Sequence, residues 1–460
     1  MQKLAAAANR GVEPWSLAGY RVLFGILTFW SSARFLAEGW VHQFFGEPSY
    51  FFHYFGFSWI PVGGPQVMTG VFICLLILST LITVGLFYRF AIVAFFFLFT
   101  FVELTDVTNY LNHYYLVSLL SFWMIWLPAN QVWSLDARMK KNAPRTIPAW
   151  CIWVLRWQVG LVYFYAAIAK LQGDWLLHGQ PLNIWLMSQS DFPIIGNWFT
   201  SHSTAMLMSW AGFLNDLVMA PALLWRKTRW IAYPVVVVFH ILTGELFNIG
   251  MFPYIMIMSA TIFFEPNWPR KVLGLTKKFT VTSPDLLPPL KPTGTWVLVL
   301  IMGYCILHAA IPMRSAMTEG PVIWHECGMR FSWKVKVREK NGALNYRVVS
   351  PSQNHKELVS PERYLTRRQA REIATQPDLI LQLAHHIGHD FRSKGMQDVE
   401  VYADSFVSLN GRKEVRLIRE TQNLMRVEDS LFCPDWIEPA PEEPPPHLEF
   451  NPKKRFKRRS

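Results

Sequence analysis

The chain has 460 residues, of which 52% are hydrophobic and 15% aromatic, and its formal net charge is +12. This apolar composition excludes an ordinary soluble protein with a single core. The positive charge would suit nucleic acid, but basic residues of membrane proteins collect in the loops that set topology, so we predict no nucleic-acid partner.

Repeated apolar runs in residues 1–313 predict a multi-helix domain embedded in the lipid bilayer. The runs approach the length of about 20 residues that a helix needs to cross the hydrocarbon core. We predict about nine transmembrane helices, at roughly 15–36, 66–87, 89–104, 111–128, 148–171, 204–223, 229–247, 249–264 and 294–313. The aromatic segments 37–62 and 179–200 are expected to lie on the membrane surface.

Residues 314–435 are rich in charge and turns and predict an extramembrane α+β domain with β-hairpins. The stretch FSWKVKVREKNGALNYRVV alternates on either side of Asn341-Gly342, which predicts a hairpin that turns there. A second hairpin is expected to turn at Asn410-Gly411, and helical patterning lies between the two. Residues 436–460 are Pro-rich, then basic, and predict a disordered tail. The predicted fold class is thus an α-helical integral membrane protein with a C-terminal α+β domain outside the membrane.

Basic residues mark every second connection between the predicted helices, whereas the connection from Glu103 to Asn109 is acidic. The positive-inside rule then predicts a cytoplasmic N-terminus. After nine crossings the C-terminal domain lies on the outer side, which is the periplasm of a bacterium or the ER lumen of a eukaryote. The basic residues are Lys3, Arg10, Arg89, Arg138, Lys140, Lys141, Arg145, Arg226, Lys227, Arg229, Arg270, Lys271, Lys277 and Lys278.

Three ionisable residues converge on the outer leaflet in this topology. His113 opens the fourth predicted helix, Lys170 closes the fifth, and His240 lies late in the seventh. Lys170 either snorkels to the headgroups, paired with Asp174, or is a buried base whose neutral form desolvation favours. His113 is either an interfacial histidine or, with Asn112 beside it, orients a polar ring substituent.

His240 and two acidic residues in apolar runs also have two readings each. His240 either packs between helices, bonded to a carbonyl, or belongs to a site. Asp216 and Glu245 are either proton-relay groups or partners of a buried arginine or histidine.

We predict no metal site in the chain. His385 and His389 have helical i, i+4 spacing, but no third ligand is evident. The five cysteines form no C-x-x-C pair. Cys327 and Cys433 lie in the outer domain and can pair in an oxidising compartment, but the sequence leaves their pairing open. A Gly-rich phosphate loop and a G-x-S-x-G motif are both absent from the sequence.

Several segments resemble the vitamin K-dependent gamma-glutamyl carboxylases. The longest is FHILTGELFNIGMFPYIMIMSATIFFEPNWPRKV, from Phe239 to Val272. LNHYYLVSLL, NQVWSLD, VYFYAAIAKLQGDW, LAGYRVLFGIL and FSWKVKV resemble the same family. The likeness runs in order from about Leu17 to Ile418.

The resemblance implies an integral membrane enzyme, a peptidyl-glutamate 4-carboxylase. It would oxygenate vitamin K hydroquinone to the 2,3-epoxide with O2, and use that energy to add CO2 to a glutamate of a protein or peptide. Metal and biotin have no part in the family's chemistry. The family's catalytic lysine falls on Lys170 and its important histidine on His113. Its quinone-site residues fall on Asn112, His240, Met251 and Phe252.

Two alternatives remain open at this point. The first is a vitamin K or menaquinol epoxidase that does not carboxylate protein. The second is a membrane protein that binds quinone or lipid without catalysis. The chain departs from the animal enzymes in its shorter C-terminal side and in Pro253, which stands where they carry a small polar residue. The shorter outer domain leaves propeptide recognition open.

Overall fold

The structure is a computed structural model and describes residues 2–139, 146–274 and 293–448. Helices occupy all nine apolar runs, and short helices connect several of them. A two-stranded ribbon pairs β1 (Gly11–Val12) with β2 (Ile147–Pro148). The helices of this part are α1 (Gln2–Ala8), α2 (Trp15–Ala37), α3 (Trp40–Phe45), α4 (Pro65–Val84), α5 (Tyr88–Thr105), α6 (Asn112–Trp126), α7 (Leu135–Met139), α8 (Trp150–Ala169), α9 (Gly173–Leu176), α10 (Leu182–Met187), α11 (His202–Leu224), α12 (Arg229–Phe247), α13 (Phe252–Ala260), α14 (Trp268–Val272) and α15 (Thr295–Met313).

Six helices among the described residues are long and apolar enough to cross a membrane: α4, α5, α8, α11, α12 and α15. The predicted count of about nine is not confirmed. Helix α6 has 15 residues and α13 has 9, both shorter than a full crossing needs. Helix α2 has 23 residues, but it carries Arg21 and Arg34.

Arg21 shows how α2 accommodates a charge among apolar residues. The residue is fully buried, and its guanidinium donates hydrogen bonds to the backbone carbonyls of Ile82, Thr83, Ala129 and Trp133. These carbonyls lie at the C-terminal end of α4 and after α6, where the carbonyls of a helix run out of i+4 donors. The buried arginine therefore ties three segments together at one end of the bundle.

The C-terminal domain is a four-stranded antiparallel sheet with helices on it. Its strands are β3 (Lys340–Ser350), β4 (His355–Val359), β5 (Glu400–Leu409) and β6 (Val415–Arg416), in the spatial order β4-β3-β5-β6. The helices are α16 (Val322–His325), α17 (Arg367–Ile373) and α18 (Pro377–Ser393). Tyr346 of β3 donates its hydroxyl to the carbonyl of Ile380 at 2.8 Å, which fixes α18 against the sheet.

The hairpin predicted at Asn341-Gly342 is wrong. Strand β3 runs straight through both residues, which pair with Ser408 and Val407 of β5. A Cβ at position 342 would stand 2.9 Å from the carbonyl oxygen of Ala374, so the glycine permits a close approach and not a turn. The hairpin that does form joins β3 to β4 through residues 351–354.

The hairpin predicted at Asn410-Gly411 is confirmed, since β5 leads through these residues into β6. Their φ angles are 51° and 82°, the left-handed region that Asn and Gly adopt most readily.

The segment before β3, residues 328–339, is irregular and is called the 328–339 loop below. Its alternation of apolar and polar residues predicted a strand, but three of its non-glycine residues have positive φ angles. They are Phe331 at 62°, Trp333 at 57° and Lys336 at 50°. Such angles interrupt a strand and are rare for bulky side chains. Trp333 of the loop packs into the core of the helices, whereas Val337 packs with the C-terminal domain.

The C-terminal domain packs on the end of the bundle that holds Lys170. Gln172 donates to the carbonyl of Val337 at 3.0 Å, and the hydroxyl of Tyr110 accepts from the backbone N–H of Phe331 at 2.8 Å. The described basic connections lie at the other end, where Arg226 pairs with Glu265. Lys140, Lys141, Arg145, Lys277 and Lys278 lie outside the described residues.

Residues 436–448 differ from the disordered tail that we predicted from residue 436. Trp436 is buried, and Ile437 forms a bridge with Ile418. Farther on, the carbonyl of Pro446 accepts from Gln180 at 2.8 Å. Apolar burial and backbone pairing thus hold this stretch to the rest of the protein, while residues 449–460 lie outside the described residues.

The pairing that the sequence left open is a disulfide between Cys327 and Cys433. It joins the start of the 328–339 loop to the segment that leads into residues 436–448.

The orientation in the membrane is a prediction that labelling can test. We expect Gln353→Cys, in the turn between β3 and β4, to react with a membrane-impermeant thiol reagent in intact cells, because the pattern of basic connections predicts that this domain is outside. Lys227→Cys, in the turn between α11 and α12, is the matched control and should react only after lysis. The reverse pattern would overturn the predicted topology.

Candidate functional site

Lys170 lies at the C-terminal end of α8 and is buried. Its Nζ donates to Asp216 Oδ2 of α11 at 2.6 Å and to the carbonyl of Ala166 at 3.2 Å. Both charged side chains are only 8% exposed. The amine therefore does not reach toward the headgroups. Asp174, the partner expected for a snorkelling lysine, binds Arg412 of the C-terminal domain instead.

A second polar pair lies close to the first. The hydroxyl of Tyr163 on α8 is 3.1 Å from Nε2 of His240 on α12. His240 is 2% exposed, and its Nδ1 finds no hydrogen-bond partner among the described residues. The carbonyl partner expected for a packing histidine is thus replaced by a tyrosine side chain.

These two pairs face one apolar cavity, called the Lys170 cavity below. It encloses about 760 Å³ of space, its open side included. Its polar groups stand on α8, α11 and α12, with Lys336 of the 328–339 loop in addition, and most of the remaining wall is aliphatic or aromatic. An amphipathic ring with one polar edge suits such a wall. The lining residues used below are Tyr163, Lys170, Trp175, Asp216, His240 and Phe252.

A second, more polar cavity adjoins the first and is called the His113 cavity below. It encloses about 1920 Å³, again with its open side. His113 and Asn112 line it from the start of α6, and the hydroxyl of Tyr110 donates to Asn112 Oδ1 at 3.0 Å. The charged residues of its wall come from several elements and are Arg34, Glu38, Glu103, Lys334 and Lys336.

Four residues line both cavities and so form the boundary between them: Ile249, Phe252, Val335 and Lys336. The Phe252 ring stands between two histidines, with its centroid 6.1 Å from that of His113 and 5.6 Å from that of His240. A molecule bound in one cavity is therefore separated from the other cavity by about one aromatic ring.

The structure divides the predicted site residues between these spaces. Lys170 and His240 line the Lys170 cavity, Asn112 and His113 line the His113 cavity, and Phe252 lines both. Met251 lines neither of them and is 1% exposed in the core beneath.

The 328–339 loop covers both cavities from the side of the C-terminal domain. Trp333 is 2% exposed and stacks on Tyr115 of α6, with ring centroids 5.0 Å apart. The ammonium of Lys336 lies 5.1 Å from the ring centroid of Trp185. Partial burial lowers the pKa of Lys334, whereas Lys336 is exposed. Positive φ angles in a loop that covers a cavity fit a functional segment better than a mere connection.

Sequence reasoning missed three features of this arrangement. It considered Asp216 as a proton-relay group or as the partner of an arginine or a histidine, but not as the partner of Lys170, which is 46 positions away. It did not single out Tyr163, because one tyrosine in an apolar helix carries no distinct signal. It also did not foresee the boundary at Phe252.

One of the two histidines considered for a metal contacts a backbone carbonyl. Nε2 of His385 lies 2.9 Å from the carbonyl oxygen of Leu424, so this nitrogen serves packing of the C-terminal domain.

Two family models match the chain. Residues 9–268 match the HTTM domain, and residues 293–443 match the vitamin K-dependent gamma-carboxylase lumenal domain. The first match covers more than half of the chain and contains both polar pairs. The second contains the 328–339 loop. No solved structure matches the chain.

Proposed function

Because the chain belongs to the vitamin K-dependent gamma-carboxylase family, we propose that it oxygenates vitamin K hydroquinone to the 2,3-epoxide and carboxylates peptidyl glutamate. The observation that carries the proposal is the Lys170 cavity, an apolar space whose polar edge is a buried lysine. The bilayer supplies the lipophilic quinol, and a glutamate-containing protein or peptide is the second partner.

The wall of the Lys170 cavity fits a naphthoquinol ring. Aromatic and aliphatic side chains can hold the ring, while Lys170 can take a proton from a ring hydroxyl and His240 with Tyr163 can bind an oxygen. We assign Lys170 the role of catalytic base on these grounds.

The γ-carbon of glutamate is far too weak an acid for any side-chain base to remove its proton. Another reaction must therefore supply the energy for this deprotonation. Oxygenation of the quinol supplies it: quinol and O2 give epoxide and water, and the strong base formed on the way removes the γ-proton. The resulting carbanion adds CO2. Such a base survives only where water is excluded, which the apolar wall of the Lys170 cavity provides.

We assign the glutamate side chain to the His113 cavity. This cavity is open and carries Lys334 and Lys336, whose ammonium groups attract a carboxylate. The boundary at Phe252 keeps the peptide and the quinol in separate spaces but close together. Asn112 and His113 would then act at the glutamate side of the boundary.

One observation favours a second candidate function. The groups to which we assign epoxidation line the Lys170 cavity, whereas the cationic groups that we assign to glutamate line mainly the His113 cavity. Quinol epoxidation without carboxylation is therefore chemically separable and remains the second candidate.

The test uses the purified protein with reduced vitamin K, O2, a glutamate-containing peptide and labelled CO2. Epoxide and peptide-bound label are measured separately. The proposal expects both products, and label that depends on epoxide formation. Epoxide without label would favour the second candidate, and quinol binding without either product would make the protein a non-catalytic quinone binder.

A further inference from the structure

The carboxylate of Asp216 is held on both of its oxygens. Oδ2 accepts from Lys170 Nζ at 2.6 Å, and Oδ1 accepts from the side-chain amide of Asn215 at 3.2 Å. Asp216 belongs to α11 and Lys170 to the end of α8, so the contact joins two helices. Both side chains line the same cavity.

Stability alone does not account for a buried lysine–carboxylate pair in such surroundings. Removing two charges from water costs several kcal/mol for each ion, and a buried pair is often no better than packed apolar residues. Here the pair stands at the edge of a cavity and not between packed surfaces. Its placement therefore calls for a chemical role.

We propose that Asp216 is a positioning residue for Lys170. Its carboxylate orients the amine toward the cavity and stabilises the ammonium that forms when Lys170 takes the quinol proton. This inference rests on the proposed function of the same site. The arrangement follows the logic by which a buried aspartate orients a histidine base in serine hydrolases.

The step balances as one proton transfer. Lys170 enters this step as the neutral amine. The quinol O–H bond breaks, its electron pair stays on the oxygen, and the nitrogen lone pair of Lys170 forms the new N–H bond. The ammonium then lies against Asp216, which is the geometry seen in the structure. An opposite charge at hydrogen-bond distance favours the charged product of this transfer.

The decisive variant is Asp216→Asn, which keeps the shape and removes the charge. We expect kcat for epoxidation to fall by about 100-fold, with KM for the quinol changed by less than about 2-fold, because a general base contributes about 10²–10⁴-fold. Asp216→Glu restores the charge and should recover a large part of kcat. A purely structural role would not lower kcat while leaving KM unchanged, and the Asp216→Glu variant would not recover kcat.

A second readout does not need catalysis. Acetic anhydride reacts with the free amine, so Lys170 of Asp216→Asn should be acetylated faster at neutral pH than Lys170 of the wild type, measured by mass spectrometry. Glu245→Gln removes a charge from an exposed position of α12 that lines neither cavity and is the matched control. It should change neither acetylation nor kcat.

The outcomes separate this inference from the proposed function. A wild type that makes no epoxide contradicts the proposed function, and acetylation alone then decides whether the two residues are coupled. An active wild type with full epoxidation by Asp216→Asn overturns the positioning role. Unchanged acetylation of Lys170 in that variant overturns it as well.

Discussion

Lys170→Ala is expected to lower epoxide formation by about 10²–10⁴-fold, the usual contribution of a general base. Two lysines of the described part of the chain line the Lys170 cavity, Lys170 and Lys336. The change removes the one that contacts Asp216, while Lys336 stands at the boundary between the two cavities. Carboxylation should fall with epoxidation, since it depends on the base that oxygenation generates. The measurement is the initial rate of epoxide formation by purified protein in detergent or lipid.

The alanine variant leaves Asp216 buried without its partner, which can cost about 3–5 kcal/mol of stability. Lys170→Arg therefore gives the sharper test. Arginine can keep the ion pair with Asp216, but its guanidinium does not lose its proton in proteins and cannot act as a base. We expect this variant to fold like the wild type and to be as inactive as the alanine variant.

Two controls complete this experiment. A small primary amine in the assay should partly restore Lys170→Ala, because it can occupy the space of the lost side chain and supply the base. Lys271→Ala removes a surface lysine at the opposite end of the bundle, paired with Glu265, and should leave the rate unchanged. Near-normal epoxide formation by Lys170→Arg would show that Lys170 is not the base.

The long apolar elements of this protein could be predicted from sequence, because length and composition alone carry that signal. The spans at α4 and α8 lie within a few residues of their predicted bounds. The convergence of His113, Lys170 and His240 on one end could also be predicted, since helix direction sets depth. The depth of a residue along the bilayer normal does not give its position in the membrane plane, however. It therefore could not place His113 and Lys170 on opposite sides of Phe252.

The 328–339 loop shows a different limit of prediction from sequence. Alternating apolar and polar residues signal a strand only if a sheet lies on the apolar side. In this loop the apolar side chain of Trp333 meets Tyr115 of α6, and positive φ angles bend the chain to allow it. The contact joins residues more than 200 positions apart, so no local pattern could reveal it.

Lys334→Glu is expected to raise the KM for glutamate peptides at least about 10-fold, which corresponds to ~1.4 kcal/mol. Lys334 lines the His113 cavity and not the Lys170 cavity, so epoxidation measured without peptide should stay unchanged. Replacing a cation by an anion turns attraction of the substrate carboxylate into repulsion. Lys336→Glu should affect both activities, because Lys336 lines both cavities.

The matched control for Lys334→Glu is Lys356→Glu, which makes the same charge change at an exposed position of β4. It should leave the peptide KM near that of the wild type. A KM for Lys334→Glu that equals that of this control would contradict the assignment of the glutamate side chain to the His113 cavity.

The burial of Lys334 also predicts a pH dependence. Because the pKa of Lys334 is lowered, its ammonium is lost at lower pH than that of an exposed lysine. Peptide affinity of the wild type should therefore weaken as pH rises through this lowered pKa, and the Lys334→Glu variant should lack that dependence.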